Sequence, residues 1–241
     1  MRKVLHIAFW ILGIAGFMFL VAFEQVSEEQ TLIKTVTIEL IQHDNQLFLN
    51  KQDVIELIDK QDDSLLFRSV NTINTAMLEE SLENHPFIAD AEVFSTLDGL
   101  LSVQVEQKLA IARVIDNNQH YYLDAEGHPF PVTKAYSATV PVFTGLQDSA
   151  SLYNALQLLK TVQATNYFSS WLAEIHTTSS REIELIPVNG NHRVLFGTPE
   201  LSTEKLKKLK GFYSTVVTEE NLNEWKTLNV AYDKLLVSTK Y

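Results

Sequence analysis

An apolar run near the N-terminus, from Val4 to Phe23, constrains this chain more than any other feature. Its 20 positions contain no charged residue, and His6 is the single strongly polar side chain among them. A helix of 20 residues is about 30 Å long, which matches the hydrocarbon core of a bilayer. The run therefore predicts a transmembrane helix.

The charges that flank this run predict its orientation. Arg2 and Lys3 precede it and acidic residues from Glu24 follow it, and basic flanks stay on the cytoplasmic side. A cleaved secretory signal is the main alternative, but its apolar region is only about 7–15 residues long and ends in a small-x-small site. We expect an uncleaved, single-pass anchor at 4–23 in the cytoplasmic (inner) membrane. Residues 1–3 would then be a cytoplasmic tail, and the body from Glu24 onward would be extracytoplasmic.

The body that follows the run is acidic and lacks cysteine. It holds 17 of the 19 basic residues and all 30 acidic ones. Such a balance disfavours binding to a nucleic-acid backbone or to an anionic lipid surface. Because the sequence has no cysteine, disulfides and thiolate metal sites are excluded.

Residues 34–106 are predicted to form a compact unit in the order strand, helix, helix, strand, strand. Residues 34–41 alternate between apolar and polar, as a half-buried strand does. Asn50 suits the N-cap of a first helix, and a second helix is expected from about Val70 to Glu83. The pair Asp98-Gly99 lies between two alternating runs and predicts a hairpin, because it tolerates the positive φ of a tight turn.

From Leu109 onward the pattern changes to short strands separated by turns. The strand candidates are 110–115, 120–124, 130–132, 140–143, 183–188, 192–196, 227–232 and 235–239. Helices are predicted at 149–163 and at 202–217, the second with Ser202 as its cap and a solvated row of Lys205, Lys207, Lys208 and Lys210. The fold class is therefore α+β, with a tether at 24–32, a β-α-α-β-β domain at 33–107, and a β-rich domain at 108–241 that has a mixed sheet and flanking helices.

The sequence contains none of the short motifs of common hydrolases, metalloproteases, phosphate loops or dinucleotide sites. Its densest polar cluster has two interpretations. His120, Asp124 and His128 fit the metal site of an exported hydrolase. Asp124 also opens the turn Asp-Ala-Glu-Gly, where a carboxylate commonly accepts backbone N–H bonds. The turn interpretation is favoured, and we expect no catalytic residue, no cofactor, no metal and no small-molecule substrate.

The C-terminal run from Leu235 to Thr239 is rich in residues that favour strands. A strand at a chain end often lies at the edge of a sheet, where unpaired N–H and C=O groups can pair with an incoming strand. The same run fits the last interior strand of the sheet equally well. Pattern alone leaves these two interpretations open.

Taken together, these elements resemble the FtsQ/DivIB family of bacterial cell-division proteins over nearly the whole chain. The most specific stretch is 85–113, which is similar to the family's aromatic after proline, V/I-x-x-A-x-V, hairpin, L-x-V-x-V-x-E and later alanine. The matching residues there are Phe87, Ile88, Ala91, Val93, Leu101, Val103, Val105, Glu106 and Ala112. Further matches are Tyr122-Leu123-Asp124 with Gly127 and Phe130, Val140-Pro141 with Gly145, Val194 with Gly197, Lys205-Leu206, and Tyr232. Phe87 and Leu109 depart from the tryptophan and the proline that are frequent at these places in the family.

The resemblance implies that 33–107 is a POTRA-like domain and that the protein is a non-enzymatic scaffold at the division septum. It implies small coiled-coil partners of the FtsB and FtsL type, and through them a link to the septal peptidoglycan synthase pair FtsW and FtsI. In the family, partners pair with the terminal strands by β-augmentation. The partner-binding residues predicted on this basis are Tyr232, Leu235, Leu236, Val237, Ser238, Thr239, Lys240 and Tyr241. A different membrane-anchored, POTRA-bearing assembly or secretion factor is the alternative.

Overall fold

A computed structural model describes residues 14–18, 31–61, 65–116, 119–218 and 220–241. It separates into two compact units, one comprising the chain up to Ile41 together with Leu49–Gln107, the other Gln42–Phe48 together with Lys108–Tyr241. The anchor predicted at 4–23 and the tether predicted at 24–32 lie outside the described residues, apart from 14–18, which are helical, and 31–32. Within the described ranges, no helix combines the length and the apolar character needed to cross a bilayer.

The first unit has the predicted order of strand, helix, helix, strand, strand. Its elements are β1 (Thr35–Ile41), α1 (Lys51–Gln61), α2 (Thr75–Glu83), β2 (Ile88–Ser95) and β3 (Leu100–Gln107). They form a three-stranded sheet in the order β1-β3-β2, in which β1 runs parallel and β2 antiparallel to β3. Side chains from both helices and all three strands share one core.

Side-chain caps explain where the helices of this unit begin. The Oδ1 atom of Asn50 accepts hydrogen bonds from the N–H groups of Gln52 (2.8 Å) and Asp53 (3.1 Å), so the predicted cap of α1 is confirmed. The second helix begins at Thr75 and not near Val70, because Asn74 caps it through the N–H of Met77 (3.2 Å). Residues Val70–Thr72 form a separate 3₁₀ turn.

The second unit is built on a nine-stranded mixed sheet. Its strands are β4 (Ala112–Asp116), β5 (Gln119–Leu123), β6 (Pro129–Pro131), β7 (Val142–Thr144), β8 (Leu172–Thr177), β9 (Ile183–Pro187), β10 (Arg193–Gly197), β11 (Trp225–Asn229) and β12 (Val237–Lys240). Their order across the sheet is β12-β11-β10-β9-β8-β7-β4-β5-β6. The pairs β4–β7, β7–β8 and β10–β11 are parallel and the others are antiparallel, which confirms the predicted mixed sheet.

Two helices pack with this sheet around one core, α3 (Ser149–Gln163) and α4 (Ser202–Thr215). The predicted bounds of α3 are confirmed, and Asp148 caps it by accepting the N–H of Ser151 at 2.8 Å. The predicted cap of α4 is wrong. Leu201 takes the cap position with φ 55°, and the Ser202 hydroxyl instead donates to the carbonyl of Pro199.

The prediction that the lysines of α4 form a solvated row is wrong for Lys205, which is buried. Lys205 is only 6% exposed, and its Nζ donates to the carbonyl of Thr198 at 2.6 Å and lies 5.1 Å from the centre of the Phe196 ring. Burial lowers the pKa of Lys205. A lysine that satisfies its ammonium on carbonyls can lie inward even on a helix whose charge pattern looks solvated.

Residues 42–48 belong to the second unit although they follow β1 of the first. The side-chain amide of Gln46 pairs with the backbone of Ala110 in both directions, Nε2 to O at 2.8 Å and N to Oε1 at 2.9 Å. The Phe48 ring contacts three aromatic rings edge-on, with centroid distances of 5.4, 5.5 and 5.2 Å to Tyr122, Phe130 and Tyr136. This segment is therefore a structural part of the β-rich unit.

Candidate partner-binding edge

The two edges of the nine-stranded sheet differ in how they are protected. At one edge, β6 carries proline at both of its ends, Pro129 and Pro131, and proline offers no N–H to a further strand. At the other edge lies β12, which contains no proline and, among the residues that the structure describes, pairs on one side only, with β11. The open question from the sequence is thereby resolved, since the C-terminal strand is an edge strand and not an interior one.

The register of β12 indicates which of its backbone groups point away from the sheet. Thr239 lies opposite Thr227, and Val237 lies opposite Asn229. The N–H of Tyr241 donates to the carbonyl of Glu224 at 3.1 Å. Because peptide groups alternate along a strand, the N–H groups of Val237 and Thr239 face β11 with that of Tyr241, whereas those of Ser238 and Lys240 face outward.

Exposed apolar side chains surround this open edge. Val237 is 45% exposed, Leu235 65%, Tyr232 56% and Tyr241 75%. Tyr232, Leu235 and Val237 also line a shallow depression of about 420 Å³ together with Asp233 and Lys234. An incoming strand would therefore find backbone groups to pair with and apolar surface beside them, which is the combination that β-augmentation uses.

The connection that leads into β12 is fixed by a lysine from α4. The Nζ atom of Lys208 donates to the carbonyls of Val230 (2.9 Å) and Asp233 (3.3 Å), and to that of Tyr232 between them. Leu236, the residue just before β12, is partly buried against the core of the unit. The strand is thus held at its entrance by one charge-assisted cluster and one apolar contact.

The far end of β12 is fixed by contacts of Lys240, its last residue, and of Tyr241, which follows it. Lys240 forms an ion pair of 2.6 Å with Glu224 and lies 4.7 Å from the centre of the Trp225 ring. The hydroxyl of Tyr241 donates to the carbonyl of Asn191 at 3.2 Å. Because both ends are held, the edge is presented in a defined position before any partner arrives.

The structure places the eight predicted partner-binding residues in one contiguous segment with three local roles. Val237 to Lys240 form β12 and Tyr241 follows it, Tyr232 and Leu235 lie in the connection before it, and Leu236 turns towards the core. The strand was predicted to begin at Leu235 and begins two residues later. Lys208, Glu224 and Trp225 were missed, because their importance depends on contacts across the fold that no local pattern reveals.

The predicted metal ligands are not brought together as proposed. Asp124, Glu126 and His128 have ligand atoms within 4.8 Å of one another, but His120 is not in this group and lies 3.5 Å from Arg113 through its Nδ1. The Oδ1 atom of Asp124 accepts the N–H groups of Glu126 (3.0 Å) and His128 (2.7 Å). This is the turn chemistry that the sequence favoured.

Comparisons with known proteins agree with this architecture. A family model described as "FtsQ/DivIB, C-terminal related" matches residues 110–239, and one for a POTRA-like domain matches residues 31–106. The chain is similar to the cell division protein FtsQ of Geotalea daltonii, with 25% identity over 201 residues that cover 78% of this chain and 70% of that protein.

A solved structure is also similar to part of the chain. It is the major extracytoplasmic domain of the trans isomer of the cell division protein DivIB from Geobacillus stearothermophilus, with 18% identity and a TM-score of 0.32, covering 45% of this chain and 93% of that one. The match of the C-terminal family model spans more than half of the present chain. On the ground of this family match, the chain belongs to the FtsQ/DivIB family of cell division proteins.

Proposed function

We propose that this protein is a membrane-anchored, non-enzymatic scaffold of the septal division complex. Its predicted helix at 4–23 would hold the body on the outer side of the cytoplasmic membrane at the division septum. Its β12 edge would bind the small coiled-coil proteins of the FtsB and FtsL type and link them to the septal synthase pair FtsW and FtsI. The observation that carries this proposal is the unprotected edge of β12, at the end of the sheet opposite to the proline-blocked β6.

The backbone direction of β12 supplies a sharp test. In Ser238→Pro the substitution removes an N–H that faces away from the sheet, so the pairing with β11 stays intact while an incoming strand loses a donor. The residue before a proline must be extended, and Val237 already lies in a strand. Val237→Pro is a poorer choice, since the N–H of Val237 faces β11 and its loss would damage the sheet itself.

The experiment compares Ser238→Pro with Ser238→Val, which keeps the N–H group and favours a strand. We expect Ser238→Pro to lose capture of the FtsB- and FtsL-type proteins from the same cells and to give filamentous cells, while Ser238→Val retains both functions. Thermal unfolding of both variants should match that of the unaltered protein. Normal capture and normal division by a folded Ser238→Pro variant would refute the proposed edge.

A crosslinking scan along residues 228–241 in dividing cells provides an independent readout. A photoreactive residue at outward positions of β12 should crosslink to the small division proteins, whereas one at Leu228, which is fully buried, should not. Crosslinks to outer-membrane assembly proteins instead would favour the alternative of a different POTRA-bearing assembly factor.

A further inference from the structure

We propose that one end of the first unit dips into the surface of the bilayer that holds the chain. This apolar tip consists of Leu32, Phe67 and Leu97. The inference rests on the proposed membrane anchoring and goes beyond it, because it assigns a lipid contact to the folded domain itself. The contact is made by apolar side chains, so it does not require the anionic lipid that the acidic body would avoid.

Backbone hydrogen bonds hold the three parts of the tip together. The segment at 31–34 lies between the turn at 66–69 and the hairpin that joins β2 to β3. On one side the N–H of Ile33 donates to the carbonyl of Arg68 at 2.8 Å, and the carbonyl of Ile33 accepts the N–H of Phe67 at 2.8 Å. On the other side the N–H of Lys34 donates to the carbonyl of Gly99 at 2.8 Å. The contact with the hairpin is so close that a Cβ at Gly99, which has φ 91°, would lie 2.3 Å from the carbonyl oxygen of Leu32.

The side chains of this tip are unusual for tight turns. Leu97 is 94% exposed, Phe67 is 74% exposed and Leu32 is 43% exposed. Phe67 also has φ 66°, a conformation that bulky residues rarely adopt and that glycine or asparagine would take at lower cost. Single exposed apolar residues are common, but three at one end of a small unit mark a surface that contacts an apolar environment.

The tip is close in sequence to the predicted membrane anchor, so the nearest apolar environment is the bilayer. The segment at 31–34 is where the chain enters the first unit, and only residues 24–30 separate it from the predicted anchor. From Phe23 to Thr31 the chain makes eight steps, which span at most about 29 Å even when fully extended, so the point at which it enters the tip lies within this distance of the end of the anchor. Leucine and phenylalanine are residues that bind the interfacial region of a bilayer, where apolar faces are buried by about 5–10 Å.

The charges beside the tip fit the same orientation. Lys34 adjoins it and can extend its ammonium group to the level of the lipid head groups while its stem follows the apolar residues. Among the described residues of the hairpin turn, Asp98 is acidic, and Lys34 lies within Coulombic range of it.

Because the sequence has no cysteine, a single introduced cysteine can be labelled at one known position. The full-length chain, with a single Leu97→Cys change, is labelled with an environment-sensitive fluorophore and reconstituted into vesicles of zwitterionic phosphatidylcholine. Ala89→Cys is the matched control, since it is an exposed position at the other end of β2, six residues or about 20 Å from Ser95. Vesicles with spin-labelled lipids then report contact between the fluorophore and the bilayer.

We expect the emission of the label at position 97 to shift to shorter wavelength in vesicles and to be quenched by lipids spin-labelled near the head group, with neither change at position 89. Equal behaviour of the two labels in protein that floats with the vesicles would overturn the lipid contact and leave the anchoring intact. A shift at position 97 without quenching would mean that protein covers the tip, and would also overturn the inference. Protein that fails to float with the vesicles would overturn the anchoring and this inference together.

Discussion

Among single residues, Lys208 shows most clearly how a charge can position a binding edge without contacting a partner. Its ammonium group donates hydrogen bonds to three carbonyls in the connection before β12, those of Val230, Tyr232 and Asp233. These carbonyls cannot pair within a strand at a bend, and an unsatisfied carbonyl that is partly shielded from water costs free energy. The lysine thus stabilises a bend that the backbone alone would not favour.

Replacing this ammonium group should loosen the connection. In Lys208→Met, the apolar stem is kept and the three hydrogen bonds are lost, and we expect the free energy of unfolding to fall by about 1–2 kcal/mol after allowance for solvent screening. Denaturation in urea measures the change. Lys207→Met is the control, since Lys207 is exposed on the same helix and should change stability little. Equal losses in the two variants would contradict the assigned role of Lys208.

His192 provides a pH dependence at the same scale. It is 1% exposed, its Nε2 contacts the hydroxyl of Tyr213, and burial lowers the pKa of His192 below its ordinary value of 6.5. Burial raises the pKa of Tyr213, so this phenol stays neutral. The unfolded chain therefore takes up a proton more readily than the folded protein. This contribution to stability is present above about pH 6.5 and is lost as the pH falls from there towards the lowered pKa.

In His192→Gln the slope of stability against pH should be shallower between about pH 7 and pH 5. It should not vanish, because burial also lowers the pKa of His85. Urea denaturation at a series of pH values gives this slope. A slope unchanged by His192→Gln would refute the linkage.

At the scale of elements, the sequence predicted hairpins and helices that have a local signature. It missed one strand, β8, whose alternation of apolar and polar residues is interrupted. The hairpin predicted around Asp98-Gly99 is present, with φ of 91° at its glycine. Strand β8 was not predicted, since a register shift between Leu172 and Glu174 places Leu172 and Ile175 inward at a spacing of three. Such a bulge removes the alternation by which a strand is recognised.

The candidate site was predictable to the same extent. The β-prone terminal run indicated a strand near the C-terminus, but its position at an edge depends on the order of all nine strands, which is a property of the whole sheet. Its start at Val237 instead of Leu235 reflects the packing of Leu236 and the bend held by Lys208. Contacts between distant parts of the chain decide such details, and periodicity carries no information about them.

At the scale of the whole molecule, the division into units does not follow the order of the chain. Phe48 lies in sequence between β1 and α1 of the first unit, yet it is 4% exposed and packs among Tyr122, Phe130 and Tyr136 of the second. A boundary drawn at residue 108 would remove this ring and the Gln46 amide from the β-rich unit. A β-rich fragment made without residues 42–48 should therefore be less stable than the same unit in the full chain.

Phe48→Ala tests this organisation without truncation. Removing a buried aromatic side chain costs about 3–5 kcal/mol, and here the loss should appear in the second unit although the mutation lies in the sequence of the first. Trp171 and Trp225 belong to the second unit, so tryptophan fluorescence in a Trp10→Phe background follows its unfolding. Phe94→Ala, at a position of β2 that is 45% exposed, should change this transition little. If Phe48→Ala left the tryptophan transition where it is, residues 42–48 would be a mere connection and not part of the β-rich unit.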